Sequence, residues 1–394
     1  MQMAKPKKDA GGECLIANVD AADFAKALGH VSGAVARKDL IPILNCVMMD
    51  CRDGSMRLVT TNLDYESEDR VALAGTANQD GALCVDARAL QALVSRMRGE
   101  CLVVHNLADQ SMSITAGRMR ATLPVLPFSD FTPMDEDDTA VHLEVASGVM
   151  ASGFSCTLHA ASTEEQRYYL NGIYIERKDG DLCFTSTDGH RLAHIEVTAG
   201  IEDDFDPVIV PRHSLKDFIA LAEWAAGEVR VSIGERLFSM AARGRQHTVK
   251  LIDGSYPDYG RVIPKDTLLN ITLPVKEARQ ALELVVAAST ERSSSVKIET
   301  EEGRALFSVS GMSGRRAEAS VEHTDIAPGL TVGLNGKYLL QALALAGDEM
   351  SLEGHEIAEG ERIFSFSEEA IAFIREAKRA RRQERKQARA GGLS

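Results

Sequence analysis

The stretch Thr185 to His194, TSTDGHRLAH, holds Asp188, His190, Arg191 and His194 within a few positions of one another. Aspartate and histidine at this spacing are the types that run general acid–base chemistry or hold a metal ion. Asp-Gly, however, is first of all a turn signal. The stretch therefore reads as a short strand, a polar turn at Asp188-Gly189 and a cationic exit strand. No glycine-rich phosphate loop, nucleophile elbow or HExxH accompanies it, and the other histidines are scattered. A His/Asp-dependent enzyme is thus the remote alternative, and no catalytic residue, metal or cofactor is expected. A second group with chemistry is Arg167-Tyr168-Tyr169, where an arginine followed by two aromatics offers phosphate pairing and stacking. The competing reading packs both tyrosines into the core.

The seven cysteines (Cys14, Cys46, Cys51, Cys84, Cys101, Cys156, Cys183) form no CxxC pair and sit in or beside apolar, strand-like segments, so they read as small buried hydrophobes. No run approaches the roughly 18 apolar residues that span a bilayer, and the N-terminus lacks an apolar signal core. A cytoplasmic protein with no membrane partner is expected. The net charge of −14 is unevenly spread. Residues 375–390 hold eight Lys or Arg against two Glu, a charge of +6, which leaves −20 for the rest. An acidic body still binds nucleic acid where its cations gather on one face.

The elements that must position these residues come in three similar units. Each opens with an alternating strand running into an amphipathic helix, from Cys14, His142 and Asn270, and Leu15, Leu143 and Ile271 are 128 residues apart at each step. A second strand-to-helix element follows in each, where Val85, Val210 and Leu334 align, as do Leu90, Leu215 and Leu339. Strand periodicity fills the intervals, such as Gly54 to Thr61, Gly180 to Ser186, Val229 to Ile233 and Arg304 to Val309. Weaker echoes of the central turn stand at Thr60 to Asp64 and Ser308 to Ala317. Units one and two share an ending, Phe128-Ser129-Asp130-Phe131 and Tyr256-Pro257-Asp258-Tyr259, which reads as an ordered linker. The fold class is α+β: three repeated domains, each with two helices packed on antiparallel sheets. The expected divisions are a disordered extension 1–12, domains 13–138, 139–267 and 268–368, and a basic extension 369–394. After Phe366 the pattern turns helical, with Ser367 as N-cap.

The repeat and four stretches, IPIL (Ile41–Leu44), RYYLNGIY (Arg167–Tyr174), TDGHRLA (Thr187–Ala193) and YPDYGRVIPK (Tyr256–Lys265), together resemble the bacterial sliding clamp family, the β subunit of the replicative DNA polymerase. The resemblance covers about residues 13–366. It implies a ring-forming homodimer, joined head to tail around double-stranded DNA, with the helices on the bore. It implies as partners the DNA polymerase catalytic subunit, the clamp loader and other proteins with a clamp-binding motif. Cations ride on the predicted helices: Lys26, Arg88, Arg96 and Arg98; Arg212 and Lys216; Lys276, Arg279 and Lys337. Phosphate contacts carry no base information, so such a ring slides.

By the same resemblance the DNA-binding residues are Arg37, Lys38, Arg167, Tyr168, Tyr169, Arg212 and Lys216. Glu164 stands where many relatives have an uncharged polar residue. The partner-peptide pocket is implied to comprise Leu170, Thr187, Gly189, His190, Arg191, Leu192, Pro257, Arg261 and Val262, with Arg191 and Arg261 capping its rim by hydrogen bonds. The chain departs from the family at its end. Family clamps close in a strand with a Met-Pro-Met-Arg-Leu type tail, whereas here Ser365-Phe366-Ser367 is followed by 27 further residues. Ala287-Ala288 stands near where the family places bulky aliphatics at the ring interface. Ala287-Ala288 implies a weaker dimer; the altered C-terminus favours the alternative of a divergent paralogue with an altered partner pocket and a specialised role, and the intact YYLNG and TDGHRL favour the ordinary role.

Overall fold

The structure is a computed structural model that describes residues 15–375, apart from 36–40, 76–77, 136, 264–268, 290–294, 311–314, 324–325, 327, 330, 347, 359–360 and 367–370. At 269–271, 349, 351–358, 361–366 and 371–375 only the backbone is described. Cys14, Arg37, Lys38, Thr267, Ser367 and the basic segment beyond Arg375 lie outside these residues.

Six α-helices follow the strand-to-helix pattern: α1 (Ala21–Val31), α2 (Ala87–Val94), α3 (Ser147–Thr157), α4 (Leu215–Ala225), α5 (Val275–Ala288) and α6 (Gly336–Leu343). Five leave a strand directly, and α4 follows the strand Val208–Pro211 after a three-residue turn. Asp20 accepts from the N–H groups of Ala22 (2.8 Å) and Asp23 (3.1 Å). Asp86 accepts from Ala89 (2.7 Å) and Asn335 from Lys337 (3.0 Å). Each such cap satisfies a donor the helix leaves open and contributes about 1 kcal/mol. The buried faces recur at helical spacing, as in Phe24, Leu28 and Val31 of α1 or Ala278, Leu282 and Val285 of α5. The cations Lys26, Arg88, Lys216, Lys276, Arg279 and Lys337 lie on the exposed faces. Among the described residues no helix is long and apolar enough to cross a membrane.

The chain forms two compact units: 1–151 with 203–206 and 213–251, and 152–202 with 207–212 and 252–394. The middle repeat contributes to both. In the first unit twelve antiparallel strands form one sheet, and the sheet of the first repeat continues into the middle repeat where Tyr65–Ala72 pairs with Arg245–Lys250. That seam is clamped by side chains. The Tyr65 hydroxyl donates to Asp217 Oδ2 (2.9 Å) and lies 3.0 Å from His247 Nδ1, while its ring stacks on His247 and meets Phe218 edge-on.

The second unit holds an eight-stranded and a four-stranded antiparallel sheet. In the larger, Gly172–Lys178, Asp181–Thr187 and Arg191–Val197 form a meander, and Arg191–Val197 pairs with Ile371–Arg375. The helix read from the sequence after Phe366 is therefore corrected: Ile371–Arg375 is a strand, held between Arg191–Val197 and Glu361–Phe366. Its run Ile-Ala-Phe-Ile suits either conformation, and the unpaired edge of Arg191–Val197 decides, because its N–H and C=O groups need partners. The core of the meander lies under Phe184, which meets Phe154 of α3 edge-on at 5.5 Å. A Cβ on Gly153 would come within 2.5 Å of that ring, so glycine is what lets the helix seat there.

At the first seam Glu66 is buried, and burial, aided by Glu68, pushes its carboxyl up to about 7 against the opposing Met134 N–H (2.8 Å) and Arg57. The folded state holds the proton more tightly than the unfolded chain, so this contribution is full below the ordinary value of 4.5 and is lost as pH rises through about 7. Wild-type stability is expected to fall relative to Glu66→Gln between about pH 5 and pH 8, on the order of 1–3 kcal/mol. Urea unfolding of both proteins across that range checks the sign; parallel profiles would contradict it.

Candidate functional site

The site is built on the hairpin Asp181–Thr187 and Arg191–Val197, whose alternating side chains serve two different faces. Phe184, Ser186, Ala193 and Ile195 face the core, where the Ser186 hydroxyl donates to the Thr157 carbonyl at the end of α3. Cys183, Thr185, Leu192, His194 and Glu196 face the other way.

The turn between the strands is self-bonded. Asp188 Oδ1 accepts from the N–H groups of His190 (2.9 Å) and Arg191 (3.0 Å). The Thr187 hydroxyl donates to the Arg191 carbonyl (2.6 Å) and accepts from Gly189 N–H (3.1 Å). Gly189 sits at φ +81°, and a Cβ there would lie 2.5 Å from Arg167 Nη1. The backbone conformation favours glycine, and a Cβ would also oblige the Arg167 side chain to shift. With its carboxylate spent on this turn, Asp188 is not paired with His190 as an acid–base couple.

Arg191 corrects an expectation. Its side chain is only 10% exposed. The guanidinium pairs with Asp188 Oδ2 (3.1 Å), donates to the His159 carbonyl (2.5 Å) and to Gln341 Oε1, and lies 4.1 Å over the Tyr338 ring. It fastens the hairpin to the turn after α3 and to α6, and leaves no donor set at a groove rim. Burial, with the Arg191 cation adding, brings His159 down to about 4, so that imidazole stays neutral beside the arginine. Arg261 is 83% exposed and holds Asp258 at 2.8 Å.

The other face of the hairpin is covered by the aromatic linker. Tyr256 stacks on Tyr174 at 4.8 Å, and Tyr259 lies 5.0 Å from the His194 ring and donates to Glu176. Leu192 packs against Tyr259, Val262 and Ile263. Of the pocket residues read from the sequence, Leu192 and Val262 meet in this patch, Pro257, Gly189 and His190 are exposed around it, and Thr187 is half-buried. Leu170 is buried, its carbonyl taking the Ser162 N–H at 2.9 Å. The strand Ile371–Arg375 runs alongside, with Leu192 opposite Phe373. Sequence reading missed Tyr174 and Ile263 as parts of this patch; the stretch Tyr256–Lys265 carried the signal for Ile263.

Near the turn, Glu165–Leu170 forms a short 3-10 segment. Tyr168 is 55% exposed and meets Tyr169 edge-on at 5.9 Å, so the pair is not core packing. Arg167 is held by Glu164 in two hydrogen bonds (2.7 and 3.0 Å). Arg212 departs from its expected role: its guanidinium is turned onto the Ala161 and Leu158 carbonyls, and burial lowers its pKa. Lys216 is exposed on α4.

Two substitutions test this construction. Gly189→Ala is expected to cost about 1–3 kcal/mol through the positive φ and the Arg167 contact. Arg191→Ala is expected to cost about 3 kcal/mol, with Arg191→Lys restoring little because a point charge cannot reproduce the fork. Thermal and urea unfolding measure both; a silent Arg191→Ala would remove the fastening role.

Comparison with known proteins matches this architecture along most of the chain. Residues 17–135, 144–258 and 260–354 match the family models of the DNA polymerase III beta subunit, N-terminal, central and C-terminal domains respectively. The beta sliding clamp of Caulobacter vibrioides is 34% identical over 335 residues, covering 82% of this chain and 88% of that protein. Among solved structures, the Caulobacter crescentus beta sliding clamp with polyethylene glycol bound to its putative beta-motif tethering region superposes with a TM-score of 0.85 at 29% identity, over 93% of this chain and 100% of that one. The Bartonella birtlesii sliding clamp bound to griselimycin gives a TM-score of 0.83 at 29% identity, over 93% and 100%. The chain belongs to the DNA polymerase III beta subunit family, the sliding clamps, which are non-catalytic processivity factors.

Proposed function

We propose that two copies of this chain close head to tail around duplex DNA in the cytoplasm and tether the replicative polymerase. The carrying observation is the match of all three clamp domains in order along one chain. The domain boundaries are placed, as part of the same proposal, near Asp138 and Thr267. Free sheet edges support assembly: Met119–Leu126 is paired along one side over most of its length, and Arg316–Glu322 is an outer strand of its sheet. Pairing one edge type on the other in a second copy is a heterologous contact that closes into a ring. Leu284 of α5, 55% exposed, and the neighbouring Ala287 and Ala288 offer a modest apolar surface for it.

The patch around Leu192 and Val262, rimmed by Arg261 and Pro257, is the proposed groove for a short peptide from the polymerase, the clamp loader or another motif-bearing partner. Few anchors in an apolar groove supply most of such a binding energy. Arg167, with Tyr168 and Tyr169, supplies a phosphate contact and a stacking surface; Arg37, Lys38 and Lys216 are further proposed DNA contacts, each taken by itself. The replaced C-terminal tail and the inward commitment of Arg191 favour, as a second reading, a clamp with a restricted set of partners. Capture of a clamp-binding peptide distinguishes the two: binding that Leu192→Asp abolishes supports the ordinary role, and absence of binding supports the restricted one.

The protein is expected to run at twice its chain mass in size exclusion with light scattering, and to stay on circular but not linear DNA after clamp-loader action. A monomer that leaves circles as readily as linear duplex would refute the ring. Freeing Arg167 by Glu164→Gln is expected to strengthen DNA binding up to about fivefold, the worth of an exposed ion pair. Arg167→Glu is expected to weaken binding about equally on all sequences and to flatten its salt dependence. A strong dependence on sequence would contradict a phosphate contact.

A further inference from the structure

On the far side of the hairpin from Arg191, three side chains of metal-binding type converge. Cys183 and Glu196 are cross-strand partners, and His194 precedes Glu196 by two on the same face. Their ligand atoms, Sγ, imidazole nitrogen and carboxylate oxygen, all lie within 4.8 Å of one another. The His194 Nδ1 is 2.8 Å from the Thr185 hydroxyl, which orients the ring and leaves Nε2 turned to Glu196 at 3.3 Å. A ring nitrogen fixed by a hydrogen bond on its other side is the usual arrangement of a histidine ligand.

We propose that Cys183, His194 and Glu196 form a site for a single zinc-class divalent ion. A thiolate, an imidazole and a carboxylate are a donor set that suits Zn²⁺, with water in the fourth tetrahedral position. Ligand atoms around such an ion stand about 3.5 Å apart, so closing the site needs side-chain rotation within one hairpin and no movement of the strands. Cys183 and His194 are buried, whereas the Glu196 side chain is half exposed and gives the ion its entry. Lys178 holds Glu196 at 3.2 Å and competes with the ion for it. Glu176, also opposite Cys183, is engaged by the Tyr259 hydroxyl and is not counted as a ligand. On binding, the Cys183 thiol gives up its proton to solvent and the thiolate takes the metal, so occupancy releases a proton and rises with pH. No electron transfer is involved. The site lies on the same face as Leu192 but shares no residue with the peptide groove, and metal binding is read directly, so its test does not depend on clamp activity.

The test is titration of the full-length reduced protein with Co²⁺ and Zn²⁺. Co²⁺ is expected to give one equivalent of binding with a near-ultraviolet sulfur-to-cobalt charge-transfer band that Zn²⁺ displaces. Cys183→Ser should abolish that band, and Cys183→Ser and His194→Gln should each weaken Zn²⁺ binding at least about tenfold. Lys178→Met, which frees Glu196 and replaces no proposed ligand, should tighten it. Circular dichroism of each variant establishes that it is folded. Absence of the band in folded wild-type protein, or a band that survives Cys183→Ser, overturns the site.

Discussion

A sheet cannot end in the interior of a protein with its edge bare, and this one requirement organises the chain. The strand Tyr65–Ala72 meets Arg245–Lys250, and Arg191–Val197 meets Ile371–Arg375, so that neighbouring repeats are joined by main-chain ladders. Side chains then specialise each join. At the first, Tyr65, Asp217 and His247 form a buried polar cluster in which Tyr65 binds both partners. Burial lowers His247 to about 4, which keeps it neutral in that cluster. At the second, the arginine of the TDGHRLA stretch reaches through to the turn after α3 and to α6.

The same requirement explains what could be read from the residues. Strand-to-helix junctions were legible because they depend on local rules: an alternating run, an Asp or Asn cap and a helical apolar face. The alternating run and the apolar face placed all six helices, Asp or Asn caps close three of them, and the Asp188-Gly189 turn followed from residue type alone. The strand at Ile371–Arg375 was not legible, since its neighbours Glu368, Glu369 and Glu376 favour a helix and its partner lies some 180 residues away in sequence.

The functional residues divide along the same line. Tyr168 was found as an exposed aromatic because Arg-Tyr-Tyr carries its chemistry in sequence. Arg191 and Arg212 were assigned to a groove rim and to DNA contact by the family resemblance, yet both turn their guanidinium groups onto carbonyl oxygens. Cys183 and His194, eleven positions apart, are seen to share a face only once the hairpin register is known. Single-residue chemistry can be read in one dimension, but the direction in which a side chain points along a strand requires the register.

Main-chain ladders ask little of side-chain identity beyond alternation. The two joins therefore leave their sequences free to drift while the backbone path persists, which fits a protein only 34% identical to a relative and yet superposable on solved clamps at a TM-score of 0.85. In evolutionary terms, the strand at Ile371–Arg375 keeps its place through its backbone, and the chain beyond it is open to replacement by whatever tail a lineage acquires.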